Sequence, residues 1–217
     1  MTSEPASQQP PKVALEPMDL NDSVQFDELL RQRVICGWND TASIIGGWRD
    51  EVAAGTREIF WVVPAPLAHL ESQQRFGGHI SMVNQISPPD HELANPDKSV
   101  LHITSLFILP EHRKGGIGRA SVEALERWAK VEPYGSPACR EITIHTLSRR
   151  YIEDEGDEWR GLWGRTGLPT PEKGTSNEDW YLRMGYVKWK EEPRYPDTLP
   201  DGTQIKWLAS FLKKTLP

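Results

Sequence analysis

Hydrophobic positions along this chain change period several times, and each change marks an element. Residues 100 to 109 (VLHITSLFIL) are a run of β-branched and aliphatic side chains. They read as a largely buried strand, stopped by Pro110, which lacks the amide hydrogen that a ladder needs. From Ile117, the residues Val122, Leu125 and Trp128 recur at helical spacing, while Glu123, Arg127 and Lys130 fall elsewhere, which predicts a helix over 117–130 ending before Pro133.

The same reading extends in both directions. Val13 to Leu15 suggests a first strand. Asn21 or Asp22 can cap a helix through Phe26, Leu29, Leu30 and Val34, and Asp40 or Thr41 a second through Ile44, Ile45, Trp48 and Val52. Further strands are expected at 58–63, 78–84 and 140–147. A short helix is expected at 177–184, then a closing hairpin of 186–191 with 205–211 across a Pro/Gly-rich connection. Strands alternating with helices, and a strand-rich end, predict an α/β protein with a mixed sheet of about seven strands and helices on both faces.

Composition narrows the classes. The chain has 217 residues, 37% of them hydrophobic, enough for a sizeable core, and we expect a single domain over 12–217 after a disordered tail at 1–11. A net charge of -6 argues against a nucleic-acid binder held by phosphate neutralisation. Two cysteines, Cys36 and Cys139, are too few for a disulfide scaffold or a zinc site, so no metal is expected and a reducing compartment is the simpler inference. The polar, Pro-rich N-terminus lacks the apolar core of a signal peptide, and IFWVVPAPLAHL is too short and Pro-broken to span a membrane. The expected location is cytoplasmic, or nuclear.

The densest chemical signal is Arg113-Lys114-Gly115-Gly116-Ile117-Gly118, between the buried strand and the helix. Unpaired amides of a helix's first turn and the positive end of its dipole favour an anion, and missing Cβ atoms let a pyrophosphate come close. Arg113, Lys114 and Arg119 add charge; the alternative is a Gly-rich turn that binds nothing. No Gly-Lys-Ser/Thr follows, as a nucleotide triphosphatase requires, and the spacing lacks the three glycines of a dinucleotide fingerprint.

The pattern Arg/Gln-x-x-Gly-x-Gly/Ala, matched by Arg113, Gly116 and Gly118, resembles the acetyl-CoA-binding motif of the Gcn5-related N-acetyltransferases (GNAT superfamily). Residues 180–186 (WYLRMGY) resemble that family's short C-terminal helix, with a tyrosine four residues before a glycine. Ser176 with Asp179 can form its capping box, and Gly185 can take the left-handed turn that ends it. The resemblance implies the acyl-CoA N-acyltransferase fold and acetyl-CoA as acetyl donor. It implies an enzyme that transfers acetyl to a primary amine by direct attack in a ternary complex.

Such a reaction needs a neutral amine, donors for the developing oxyanion and a proton for the leaving thiolate. By resemblance, the backbone of Phe107, Ile108 and Leu109 holds the pantetheine arm, an amide near Ile108 faces the thioester carbonyl, and residues 113–119 hold the diphosphate. Tyr181 is the expected proton donor, a phenol that stays protonated at neutral pH; its alternative is aromatic packing. Trp180 and Met184 read as packing residues.

The expected base is His102, eleven residues before Arg113, where histone acetyltransferases of the family carry a glutamate. His79 and His145 are other candidates, any of them acting through water, and a histidine in a strand can equally be a hydrogen-bonded structural group. The departure from glutamate counts against a lysine-histone substrate. We expect a small-molecule amine. The alternatives are a protein lysine or N-terminal amine, and a catalytically silent CoA-binding module. No nucleic-acid or membrane partner is expected, and the oligomeric state is monomer or homodimer.

Residues 149–175 form a longer connection than family members often use, an expected insertion holding Glu153, Asp154, Glu155, Asp157 and Glu158 beside Trp159 and Trp163. It reads either as a lid attracting a cationic amine or as a solvated acidic run anchored by its tryptophans.

Overall fold

A computed structural model describes residues 11–71 and 73–217. The expected tail thus lies, apart from Pro11, outside the described residues. Among them are β1 (Val13–Pro17), β2 (Arg57–Pro64), β3 (Gly78–Val83), β4 (Val100–Ile108), β5 (Glu141–Leu147), β6 (Val187–Thr198) and β7 (Gln204–Thr215). They form one mixed sheet in the order β1-β2-β3-β4-β5-β7-β6. The helices are α1 (Ser23–Cys36), α2 (Ala42–Ala53), α3 (Ile117–Trp128), α4 (Arg150–Glu153), α5 (Leu162–Gly164) and α6 (Asn177–Leu182), so the class is the expected α/β one. By contacts the chain divides into two compact units, Met1–Val83 with Ser105–Pro137, and Asn84–Thr104 with Ala138–Pro217; the division cuts β4.

In the first unit β1 pairs antiparallel with β2, Val13 opposite Pro64, and β2 with β3, Arg57 opposite Val83. Asp22 caps α1 by accepting from the Val24 amide at 2.9 Å, and Thr41 caps α2 by accepting from Ile44. Leu29, Ile45 and Trp48 pack against Ile59, Trp61 and Val63 of β2, and Trp61 stacks on Phe76 at 4.3 Å. Burial of Leu29 and Ile45 contributes roughly 1.5–3 kcal/mol each.

Val34 and Ile44, expected on the apolar faces, are exposed instead. The reason is that α1 turns Glu28, Leu29, Gln32 and Arg33 inward, which leaves Val34 facing out. That face is polar because Gln32 and Arg33 both serve His79. The guanidiniums of Arg33 and Arg57 lie over the Trp48 ring at 5.5 and 4.7 Å, and Arg57 pairs with Glu51 at 2.6 Å.

In the second unit β5 is the pivot. It runs parallel to the start of β4, from Val100 opposite Glu141 to Ile103 opposite Ile144, and antiparallel to β7 along its whole length. The hairpin of β6 and β7 is longer than expected: β6 runs on to Thr198 rather than 191, and β7 to Thr215 rather than 211. Pro193 and Pro196, which argue for a connection in sequence, lie within β6, and a strand at the edge of the sheet tolerates them because one row of its amides needs no partner.

The connection at 149–175 holds α4, a single π turn at Asp157–Gly161 and α5. Aromatic packing orders it: Tyr151 meets Trp159 and Trp207 edge to face at 5.7 and 4.9 Å, with Trp163 partly buried on the same cluster. The Tyr151 hydroxyl accepts from the Leu208 amide at 2.7 Å. Its acidic residues are partly paired, Glu155 with Lys173 and Asp154 with Arg150.

Candidate functional site

The glycine turn belongs to the first unit. Strand β4 ends where the Leu109 amide donates to the Gly77 carbonyl at 2.9 Å. Successive amides of a strand alternate in direction, so the Ile108 amide points away from β3. Gly78 permits this approach, since a Cβ there would run into the Phe107 carbonyl. Arg113 folds back to donate from Nε to the Ile108 carbonyl at 3.0 Å, with its guanidinium over the Phe107 ring.

Gly115 and Gly116 then adopt left-handed backbone, φ 82° and 81°, and Gly116 caps α3 without a side chain. The first intrahelical bond of α3 is from the Ala120 amide to the Gly116 carbonyl at 3.0 Å. A helix leaves the amides ahead of that bond unsatisfied within itself, so the first turn of α3, from Ile117 through Gly118 to Arg119, aims main-chain donors outward at the positive end of the helix dipole.

Beside the turn lies a cavity of about 460 Å³, lined by Lys12, Pro64, Leu67, His112, Lys114, Gly115 and Ile117 among others. Lys12 was not singled out in sequence, and no local pattern marks it. From the start of β1 it donates from Nζ to the Gly115 carbonyl at 3.1 Å, which places a cation on the turn. Left-handed glycines without Cβ atoms, outward amides and the cations of Lys12, Lys114 and Arg113 suit a diphosphate anion.

His79, also in the first unit, is fully buried. Its Nδ1 meets Gln32 Oε1 at 3.0 Å and its Nε2 meets Arg33 Nη1 at 3.4 Å. A guanidinium only donates, so Nε2 accepts and the ring is neutral. Burial, then the charge of Arg33, pushes its pKa down to about 3. Both nitrogens are engaged, as in a structural histidine.

Tyr181, His102 and His145 belong to the second unit. Ser176 caps α6: its hydroxyl accepts from the Asp179 amide at 3.0 Å and donates to the Asp179 carboxylate at 2.5 Å, and Gly185 follows with φ 88°. Glu178 fastens the same helix, accepting from the Arg149 amide at 2.8 Å and the Ser210 hydroxyl at 2.6 Å while pairing with Lys188 at 3.0 Å. Tyr181 is thereby held among Trp180 and Tyr186, buried to 5% exposure. Burial raises its pKa, so the phenol keeps its proton at neutral pH, and no hydrogen bond to its hydroxyl is seen among the described residues.

His102, opposite Thr143 in the β4–β5 register, is fully buried, with Nδ1 2.7 Å from the Thr143 hydroxyl and Nε2 2.8 Å from Nδ1 of His145. Thr143 and His145, two apart on β5, present the same face, which brings the two rings together. Their centroids are 4.8 Å apart and their planes 8° from parallel. Face-stacked rings keep their atoms about 3.5 Å apart, so a 2.8 Å approach of two nitrogens means coplanar rings joined edge to edge. His145 is partly exposed and lies between Tyr195 and Phe211, each at 5.6 Å. Burial, then the charge of Arg194, lowers its pKa to about 4.

Among the described residues no cluster of metal-ligating side chains occurs and no helix is long and apolar enough to cross a membrane. Cys36 and Cys139 are not joined in a disulfide.

Comparison with known proteins identifies the class. Residues 20–148 match the acetyltransferase (GNAT) family, more than half of the chain, and the chain belongs to that family as an N-acetyltransferase. No curated protein sequence matches it. Solved structures share its fold at low identity. Arabidopsis thaliana NAA60 in complex with acetyl-CoA is 12% identical with a TM-score of 0.57, covering 94% of this chain and 98% of that one. The aminoglycoside 6'-N-acetyltransferase from Enterococcus faecium is 16% identical with a TM-score of 0.56, covering 94% and 97%. The dodecameric spermidine N-acetyltransferase from Vibrio cholerae is 11% identical with a TM-score of 0.53, covering 94% of each chain.

Proposed function

We propose that this chain transfers an acetyl group from acetyl-CoA to the primary amine of a small molecule, by direct attack in a ternary complex. The observation that carries the reading is the left-handed Gly115-Gly116 turn opening α3, with Lys12 and Lys114 lining the adjoining cavity. Acetyl-CoA supplies the activated acyl group as a thioester. Residues 113–119 hold its diphosphate, and the main chain of Phe107, Ile108 and Leu109 holds the pantetheine arm, with the Ile108 amide as donor to the thioester oxygen.

Tyr181 gives its phenolic proton to the departing thiolate. A raised pKa suits this role, because the group enters each turnover protonated and makes no competing hydrogen bond among the described residues. The hydrogen-bonded pair of His102, buried, and His145, partly exposed, receives the proton of the attacking amine. A net charge of -6 and the carboxylates at 153–158 support a cationic acceptor drawn by long-range attraction.

The test is calorimetry with acetyl-CoA followed by a thiol-release assay over polyamines, aminoglycosides, amino acids and peptides with free N-termini. Acetyl-CoA binding on the order of micromolar, with thiol release driven by a small amine, is the expected result. Turnover with peptides alone moves the acceptor to the protein class, and binding without turnover on any amine leaves a silent CoA module.

A further inference from the structure

The hydrogen-bond directions around His102 can be read from one fixed end. The Leu93 carbonyl only accepts, and the Thr143 hydroxyl lies 2.6 Å from it, so the single hydroxyl proton points there. Toward His102 the Thr143 oxygen then offers only a lone pair, and His102 Nδ1 at 2.7 Å must carry a proton. In a neutral imidazole the other nitrogen is bare, so His102 Nε2 accepts and His145 Nδ1, 2.8 Å away, donates. His145 Nε2 is left as a bare acceptor, with no hydrogen bond among the described residues, on a ring that is partly exposed where His102 is sealed.

From this wiring we infer that His145, through Nε2, is the group that takes the proton from the attacking amine, and that His102 and Thr143 are positioning residues acting through it. The inference rests on the acetyltransferase reading above. Buried His102, with both nitrogens bonded, cannot meet a substrate itself. The titratable and charged groups around His145 are His102 from β4 and Tyr195 and Arg194 from β6, while Phe211 from β7 is apolar and carries Lys190 and Arg194 over its face. Burial, and then the charge of Arg194, keep His145 unprotonated at neutral pH, in the form that accepts a proton.

The step balances. The amine lone pair forms the C–N bond, the C–S pair leaves with sulfur, and the amine proton goes to His145 Nε2. His145 passes its Nδ1 proton to His102 Nε2, which leaves a doubly protonated His102 still bonded to Thr143 and a His145 protonated on Nε2. Reversal of the relay releases that proton from His145 Nε2 to solvent. The tyrosinate left when Tyr181 protonates the thiolate takes one proton from solvent, so the net change is one proton moved from the amine to sulfur.

Two measurements test this on the full chain. Long-range nitrogen–proton NMR at neutral pH should show the Nδ1–H tautomer for both His102 and His145; an Nε2–H tautomer at His145 overturns the wiring. This needs no variant and survives any folding failure. In kinetics with the amine turned over fastest by the parent, His145→Gln should lower kcat by about 10²-fold at unchanged acetyl-CoA affinity. Thr143→Val should lower kcat by about tenfold and shift the acidic limb of its pH profile, and Thr143→Ser should restore both. A parent that releases no thiol with any amine overturns the acetyltransferase reading itself, whereas a competent parent matched by His145→Gln to within twofold overturns this inference alone.

Discussion

The glycine turn of the first unit presents main-chain amides, aimed by the left-handed Gly115 and Gly116, while the histidine pair of the second unit presents side-chain nitrogens whose protons are placed by Thr143 and Leu93. In the turn, donor identity is indifferent to side chains, and only a side chain that intrudes can spoil it. In the pair, each atom depends on the next, so a change of one hydroxyl reaches a ring two groups away. A backbone site should therefore fail by obstruction and a side-chain site by subtraction.

The largest effect expected from this contrast is obstruction. Gly118→Glu sets a carboxylate in the first turn of α3, at the proposed diphosphate site, and should weaken acetyl-CoA binding by at least about 10³-fold while the fold survives. Calorimetry on the folded variant checks it; parental affinity would remove the turn from the binding site. Next comes subtraction at Tyr181. Tyr181→Phe removes only a hydroxyl that forms no bond among the described residues, so melting temperature and acetyl-CoA affinity should hold while kcat drops by roughly 10²-fold. Near-parental turnover with a lower melting temperature would make the ring a packing group.

The two units also hold one depressed histidine each, and acid should find both. His79 and His145 have folded pKa values of about 3 and about 4, below the unfolded value near 6.5. As pH falls below 6.5 the unfolded chain takes up protons that the folded chain refuses, so their stabilising contribution is present above pH 6.5 and is lost on acidification toward 4. Each contributes a slope of up to about 1.4 kcal/mol per pH unit. Denaturant unfolding from pH 7 to 4.5 should show it, and His79→Gln should flatten the slope; a stability independent of pH over that window would deny that these rings are buried neutral. The smallest effect belongs to the turn again. Lys12→Ala removes one cation from an exposed rim and should weaken acetyl-CoA about two- to fivefold, more at low salt. An unchanged affinity at low ionic strength would mean that Lys12 braces the Gly115 carbonyl and nothing more.

How far each region could be read in sequence follows from the same contrast. The turn is local: a strand, a proline, three glycines and a helix stripe all fall within residues 100–130, and the cap at Ser176 and the left-handed Gly185 around Tyr181 are equally short in range. His102 and His145 stand out as titratable residues on strands, but their union requires knowing that β4 lies parallel to β5 with His102 opposite Thr143. No spacing within either strand encodes that register. Lys12 lies 103 residues from the carbonyl that it holds, and Leu93 lies 50 from Thr143. The misread hairpin has a different cause. Pro193 and Pro196 are breakers only where both sides of a strand are paired, and a single strand's sequence does not say that it will be last in the sheet.

That outermost position has a consequence for how the molecule behaves in company. A long terminal strand ordinarily invites another chain to continue the sheet, but β6 carries two prolines without amide hydrogens, two register shifts and the charges of Lys188, Lys190, Glu191, Glu192 and Arg194. Each of these discourages continuation. The rim is thus guarded against runaway, open-ended polymerisation at high concentration.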